Sequence, residues 1–325
     1  MKHVSERQIQ GEGKVPPPTW HSFPRVQQRA TRDKPGRIGG CTCGMLTTTL
    51  GILCLFLAVP SLRAADAARP PSDADRVLTA MQAEAQFARF AATIAAGYER
   101  HAAALPPSAA ENFIEDVRAA HAPEKLYPLF CEEFAKTFDP TRTESAIAWL
   151  DSPVGRRSTA AEMSALAPDA AAAFQAYMPT LLSLPEPRKA LVREYLDITG
   201  AEAQTATLVT IPLRGYAAAL RRSVPETDRG SDAEYDQRTT EMETDAVRQY
   251  LALMPASTAF TFRELSDNDF RAMLDFYRSP VGENLVRAAW AGTGAALRAA
   301  AAELGADTAT LLREYTAPPP PSPGQ

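Results

Sequence analysis

The tetrapeptide Ser-Pro-Val-Gly occurs twice in this chain of 325 residues, at positions 152–155 and 279–282. Each copy follows an apolar segment with helical spacing, and a large aromatic residue, Trp149 or Phe276, stands three residues before the serine. Serine is a favoured helix N-cap, and proline is common at the first position of a helix but rare in its interior. The repeat therefore predicts two equivalent helix–helix junctions and indicates an internal duplication.

The glycine of each copy falls at the third position of the predicted new helix. Its lack of a side chain lets the helix that carries the aromatic residue pack close to the new one. We expect a structural role for the motif, because the sequence places no general base beside either serine and has no Gly-x-Ser-x-Gly turn. The motif residues are Trp149, Ser152, Pro153 and Gly155 in the first copy, and Phe276, Tyr277, Ser279, Pro280 and Gly282 in the second.

A second sequence repeat lies upstream of each motif, where Ala-Glu-Ala-Gln occurs at 83–86 and again at 201–204. If both copies fold alike, their polar residues could face each other across a pseudo-twofold axis and form a binding site. The alternative is shared ancestry with exposed side chains. The residues in question are Glu84, Gln86, Glu202 and Gln204.

The region from 72 to 315 has the pattern of an all-α protein. Alanine is abundant, apolar residues recur at spacings of three and four, and we find no convincing strand. Pro179, Pro185 and Pro187 are expected to break the chain between the copies, because proline pushes the preceding residue out of helical geometry. We predict two tandem, unequal helical units, at 68–183 and 184–316, packed as a helical bundle.

The N-terminal region has the layout of a secretory signal. Basic residues dominate before an uncharged stretch at 41–62, and Ala65-Asp66-Ala67 offers a cleavage site. We therefore predict a signal peptide with a long basic n-region at 1–67 and export to the periplasm or beyond. The alternative is that residues 45–62 are retained as an anchor in the inner membrane. At the other end, 317–325 is a proline-rich tail that we expect to be disordered.

The charge balance excludes some classes of partner. The whole chain has a formal net charge of −5, and residues 1–64 hold nine basic and three acidic side chains, so their removal leaves −11. Nucleic acid is therefore not an expected partner, and a membrane is one only if the N-terminal segment is retained. An envelope protein or a small apolar ligand, held in a groove between the helical units, is the partner we expect.

The candidate chemical groups do not form a recognisable catalytic or metal-binding pattern. Cys131 is the only cysteine after the predicted signal, and His101 and His121 lack the spacing of metal ligands. We expect neither a metal nor a cofactor. The leading hypothesis is a non-enzymatic envelope binding or interaction protein. The competing hypothesis is a hydrolase-like envelope enzyme whose carboxylates are brought together only by the fold.

The second copy carries a family resemblance. The segment 274–282, Leu-Asp-Phe-Tyr-Arg-Ser-Pro-Val-Gly, resembles the signature of the bacterial domain-of-unknown-function family 2059, in which an aromatic pair precedes Ser-Pro-x-Gly. The match extends over about 190–316, whereas the first copy is degenerate at 149–151. The resemblance implies an all-helical, exported bacterial protein and brings no catalytic residues. Gly292-Thr293-Gly294 departs from the pattern, so we expect an irregularity in the last helix.

Overall fold

The computed structural model describes residues 70–102, 107–223 and 226–316. The predicted signal peptide or anchor at 1–67 and the predicted tail at 317–325 lie outside these ranges. Within them the chain forms helices joined by turns, and no strand is present. The prediction of an all-α fold is confirmed.

Seven α-helices precede the predicted boundary between the units. A 3-10 turn at Pro140–Arg142 lies between the fourth and fifth of them. The seven helices are α1 (Asp73–Ala80), α2 (Ala83–Ala102), α3 (Pro107–Ala120), α4 (Pro123–Thr137), α5 (Thr143–Leu150), α6 (Pro153–Ala165) and α7 (Ala170–Leu181).

Five α-helices follow the boundary, with a 3-10 turn at Glu226–Asp228 between the second and third of them. Serine caps recur at their starts, as at Ser231 and Ser266, whose hydroxyl oxygens accept from the amide three residues on. The helices are α8 (Glu186–Thr199), α9 (Ala201–Ser223), α10 (Asp232–Thr261), α11 (Asp267–Arg278) and α12 (Pro280–Thr316).

The prediction of a break at Pro179 is wrong. Pro185 and Pro187 do lie at the boundary between two helices, because Pro185 is the N-cap of α8 and Pro187 is in its first turn. Pro179 lies inside α7, two residues before its last residue. Proline has no amide hydrogen, so one helical hydrogen bond near the end of α7 is missing. The carbonyl that loses its partner belongs to Gln175, which is exposed, so water can replace the missing donor.

The last helix, α12, is continuous through Gly292-Thr293-Gly294, so the expected irregularity there is also absent. Packing explains the first of these glycines. A Cβ atom at position 292 would lie 2.7 Å from the carbonyl oxygen of Phe130 in α4. Glycine at position 292 therefore allows α4 and α12 to approach closely. Its role is in packing between helices, and it does not end α12.

Both predicted units contribute to one hydrophobic core. α12 packs along α9 on one side and along α4 on the other, and it also meets α3 and α5. The core cluster joins buried aromatic residues of the first unit to those of the second. Its largest fully buried side chains include Phe87, Phe130, Phe134, Tyr195, Phe262 and Phe270.

Corresponding helices of the two units pair in the same way. α1 packs on α5 as α8 packs on α11, and α2 packs on α3 as α9 packs on α10. The junction α5–α6 corresponds to α11–α12. These repeated pairings are what a duplication would produce. The duplication and the two-unit boundary nevertheless stay predictions, because related packing can also arise between unrelated helices.

Candidate functional site

The two junctions at the repeated motif are built alike. The hydroxyl oxygen of Ser152 accepts from the amide of Gly155 at 3.0 Å, and that of Ser279 accepts from the amide of Gly282 at 3.1 Å. A Cβ atom on Gly155 would collide with the carbonyl oxygen of Trp149, and one on Gly282 with that of Phe276. Each serine therefore caps a helix, and each glycine permits the turn.

The aromatic residues that precede the two motifs meet each other. The rings of Trp149 and Phe276 stack with their centroids 3.8 Å apart and their planes 9° from parallel. Tyr277 lies beside them, 6.0 Å from Trp149. Because these two residues hold corresponding positions in the repeated motif, a duplication would place their contact on a pseudo-twofold axis.

Polar contacts join the same two regions. Arg157 of α6 reaches across to Asp269 at the start of α11, with a nitrogen–oxygen distance of 2.7 Å, and its hydrogen bond lowers the pKa of that carboxyl. Asn284 of α12 reaches the other way. Its side-chain oxygen accepts from the amide of Asp139 at 2.9 Å, and its nitrogen donates to the carbonyl of Thr137. Each helix that follows a motif thus contacts the opposite unit.

A buried carboxyl lies next to this interface. Glu162 of α6 is 1% exposed, and burial raises its pKa well above the ordinary glutamate value, although the Tyr277 hydroxyl opposes this by hydrogen bonding. Ser158, one turn earlier on the same face, is equally buried. The hydroxyl of Ser158 and Oε1 of Glu162 have no hydrogen-bond partner.

Sequence reasoning did not single out Glu162, because it belongs to no recognisable motif. A signal was present. Glu162 is the only charged residue between Arg157 and Asp169, and alanine and methionine surround it. An isolated acid in an apolar stretch indicates burial more strongly than an acid among other charges does.

The four residues of the second repeat do not share one environment. Glu84, Glu202 and Gln204 are exposed on the first turns of α2 and α9. Gln86 is fully buried, and neither atom of its amide group has a partner. Corresponding residues Gln86 and Gln204 therefore differ in burial, and a binding site formed by these residues across an axis stays a prediction.

Helix α7 presents an uncharged surface. Its inner side is fixed by aromatic contacts, with the rings of Phe174 and Tyr177 lying 5.4 Å and 5.6 Å from that of Phe260 in α10. No charged residue occurs from 170 to 185. We call the exposed side of this helix the outer face of α7. It comprises the exposed apolar residues Ala172, Ala176, Pro179 and Leu182, and exposed Gln175 and Thr180 lie beside them.

Leu182 is the most exposed large apolar side chain in the described part of the chain, at 89%. Leu129 on α4 is the other exposed one, at 37%. Isolated surface leucines are common, and it is a contiguous apolar patch that marks an interaction surface. Leu182 is of interest because it continues the apolar residues of the outer face of α7.

The remaining candidate groups have ordinary structural positions. His121 is buried at the end of α3 with Nδ1 2.9 Å from the carbonyl oxygen of Val117, and burial lowers the pKa of its ring. Cys131 is half-buried on α4. Across the ranges that the structure describes, no group of three or more histidine, cysteine, aspartate or glutamate side chains is arranged to hold a metal ion.

Comparison with protein-family models, curated proteins and solved structures gave no match. The resemblance to family 2059 at 274–282 therefore stays a prediction. Among residues 70–102, 107–223 and 226–316, no helix has both the length and the apolar character needed to span a membrane.

Proposed function

We propose that this chain is an exported, non-enzymatic interaction protein that binds a partner protein through the outer face of α7. The N-terminal sequence supports export. The observation that carries the binding proposal is the 89% exposure of Leu182 at the end of a helix face without charge. We place the contact on α7 and not between the units, because Trp149 and Phe276 already stack on each other there.

The chemistry of the face indicates the kind of partner. Ala172, Ala176, Pro179 and Leu182 follow one another at spacings of four, three and three, so they form one stripe along the helix. A stripe of this kind docks into an apolar groove of another protein. It offers no cation to a phosphate group, so nucleic acid and anionic lipid do not fit it.

The size of the face indicates a weak contact. A helix of 12 residues is about 18 Å long, and one side of it is small beside the roughly 800 Å² that each partner buries in a standard interface. We therefore expect a transient complex unless neighbouring surfaces also take part. Recovery of the complex requires cross-linking before purification.

The matched pair of exposed leucines provides the test. Leu182→Lys places a charge on the outer face, at a helix end where a cation is compatible with the helix dipole. Leu129→Lys makes the same change on α4. Leu182 is almost fully exposed, so Leu182→Lys should keep its stability within about 0.5 kcal/mol, whereas Leu129→Lys also loses the buried part of the leucine side chain. The folding of both variants is therefore checked by urea denaturation first. Tagged full-length proteins are cross-linked in their own cells, purified and identified by mass spectrometry.

We expect the wild type and Leu129→Lys to recover the same partner, and Leu182→Lys to lose it. Equal recovery by all three proteins would place the contact elsewhere. Cross-links only to a second copy of this chain, or only to lipid, would replace the proposed partner with that occupant and so contradict the proposal.

One observation favours a second candidate function, which is catalysis. Carboxyl groups with a raised pKa serve as acids and bases in enzymes, and Glu162 is such a group with two hydroxyl-bearing residues near it in the fold. Its 1% exposure means that a substrate reaches it only if α6 moves. A hydrolytic activity of the wild type towards envelope substrates that Glu162→Gln abolishes would favour this candidate.

A further inference from the structure

The two units differ at one buried pair of positions, although they share the motif that precedes it. Ser158 and Glu162 are the sixth and tenth residues after Ser152, and the sixth and tenth residues after Ser279 are Leu285 and Ala289. Ser158, Glu162, Leu285 and Ala289 are all buried. The second unit therefore builds the same stretch of helix with apolar side chains, and the fold does not require a carboxyl there.

The polar pair carries an energetic cost that the apolar pair avoids. A buried hydroxyl or carboxyl oxygen without a partner is destabilising, and an ionised carboxylate in the same place is more so. Ser158 and Oε1 of Glu162 are in this position, while Tyr277 supplies the hydrogen bond that Glu162 does have. The protonated form of Glu162 is therefore the one that suits the closed interface.

The groups around α6 do not supply a counter-charge to Glu162. α6 packs on α5, α10 and α11, and Arg89 of α2 also reaches it. Besides burial, Tyr277 is the one described group that acts on the ionisation of Glu162. Four charged groups on or next to these elements are paired elsewhere: Arg89 at the Met163 carbonyl, Arg157 at Asp269, Arg263 at the Phe260 carbonyl and Glu144 at Arg76. Arg156 of α6 donates to the Asp151 carbonyl, and Arg278 of α11 pairs with Asp275 and Glu194.

We propose that Glu162, with Ser158 and Tyr277, forms a buried proton-binding site that keeps α6 docked on α11 while the proton is bound and loosens this contact when the proton leaves. The step is a simple ionisation. The O–H bond of the carboxyl breaks, the proton passes to water, and the carboxylate then needs hydration that the closed interface does not provide. Hydration is gained when α6 moves away from α11. The site is independent of the contact proposed for α7.

Hydrogen exchange at α6 and α11 tests the proposal. The backbone exchange rates of the full-length wild type are divided by those of Glu162→Gln at the same pH, which removes the intrinsic dependence of exchange on pH. We expect this ratio to rise with pH for α6 and α11, approaching a tenfold change per pH unit, and to stay constant for α4. A constant ratio at α6 and α11 would overturn the proposal.

Two further proteins keep the test decisive. Glu283→Gln makes the same change at an exposed position of α12 and should give a ratio that is independent of pH. Glu162→Ala copies Ala289 of the second unit, and it replaces Glu162→Gln if the amide does not fold. The carboxyl carbon of Glu162, followed by NMR, should titrate well above the ordinary range for glutamate. An ordinary titration there would also overturn the proposal.

Discussion

Gly155 and Gly282 have no side chain, and this allows the backbone to turn closely from one helix into the next. A Cβ atom at Gly282 would lie 2.7 Å from Cα of Tyr277, and one at Gly155 would lie 3.0 Å from Cα of Leu150. The crowding atoms belong to the backbone, which cannot give way as the end of a side chain can. The sequence predicted this close approach, because glycine after Ser-Pro-x falls within the first turn of a new helix.

Gly282→Ala should therefore lower the free energy of unfolding by about 1–3 kcal/mol, the usual cost of overpacking. Gly294→Ala in the same helix is the control. A Cβ atom there meets only the end of the Arg298 side chain, at 3.3 Å, so the higher helix propensity of alanine should leave stability unchanged or raise it by up to about 1 kcal/mol. Urea denaturation measures both. Similar effects of the two substitutions would show that crowding at Gly282 is unimportant.

Glu162 is the residue for which stability should depend on pH. Burial raises its pKa, so between the ordinary and the raised value the folded state holds a proton that the unfolded state has released. The free energy of unfolding then falls as pH rises through that interval, by at most about 1.4 kcal/mol per pH unit. Glu162→Gln has no such proton.

The stability advantage of Glu162→Gln over the wild type should therefore grow with pH, above about pH 4.3 where an unfolded glutamate ionises. Urea denaturation of both proteins across a pH series measures the difference. If the difference is the same at every pH, Glu162 ionises alike in the folded and unfolded states.

At the scale of elements, the sequence predicted which segments are helical better than it predicted which helices pack together. Apolar spacing and serine caps identify a helix locally, which is why the all-α class could be predicted. Pro179 and Gly292 were misread for one reason: a proline or glycine signals a break only when nothing outside the helix compensates. Solvent at Gln175 and close contact with Phe130 are such compensations, and both depend on the tertiary structure.

Helix α7 should be the element that detaches most easily. Phe174 and Tyr177 hold it against Phe260 of α10, Leu181 packs on the core, and its outer face is exposed. Phe174→Ala removes the one fully enclosed anchor, and Phe→Ala changes in cores cost about 3–5 kcal/mol. We expect hydrogen-exchange protection to be lost over 170–181 while α12 stays protected. Equal loss in both helices would mean that α7 is part of the global core.

At the scale of the whole molecule, the stacked pair Trp149 and Phe276 links the two units. The sequence identified these residues as corresponding positions, but it could not show that they touch, because periodicity within a helix says nothing about which distant helix lies opposite. The same limit concealed Glu162, whose burial depends on α11. A long-range contact of this kind is visible only once the chain is folded.

Trp149→Ala and Phe276→Ala should therefore be non-additive. Each removes the same stacking contact, so the double variant should lose less free energy of unfolding than the sum of the single variants, by about 0.5–1.5 kcal/mol. A single cooperative transition is expected in all four proteins of this cycle, because the core is shared between the units. Strict additivity would mean that the two rings do not interact in solution.

The claim on which the account of function depends is that the outer face of α7 binds a partner protein. A photo-activated cross-linking amino acid, placed in turn at 176, 182 and 129 of the full-length protein, tests it directly in the protein's own cells. The account predicts one adduct of the same mass from 176 and 182 and its absence from 129. No adduct from either α7 position, or the same adduct from all three, would contradict it.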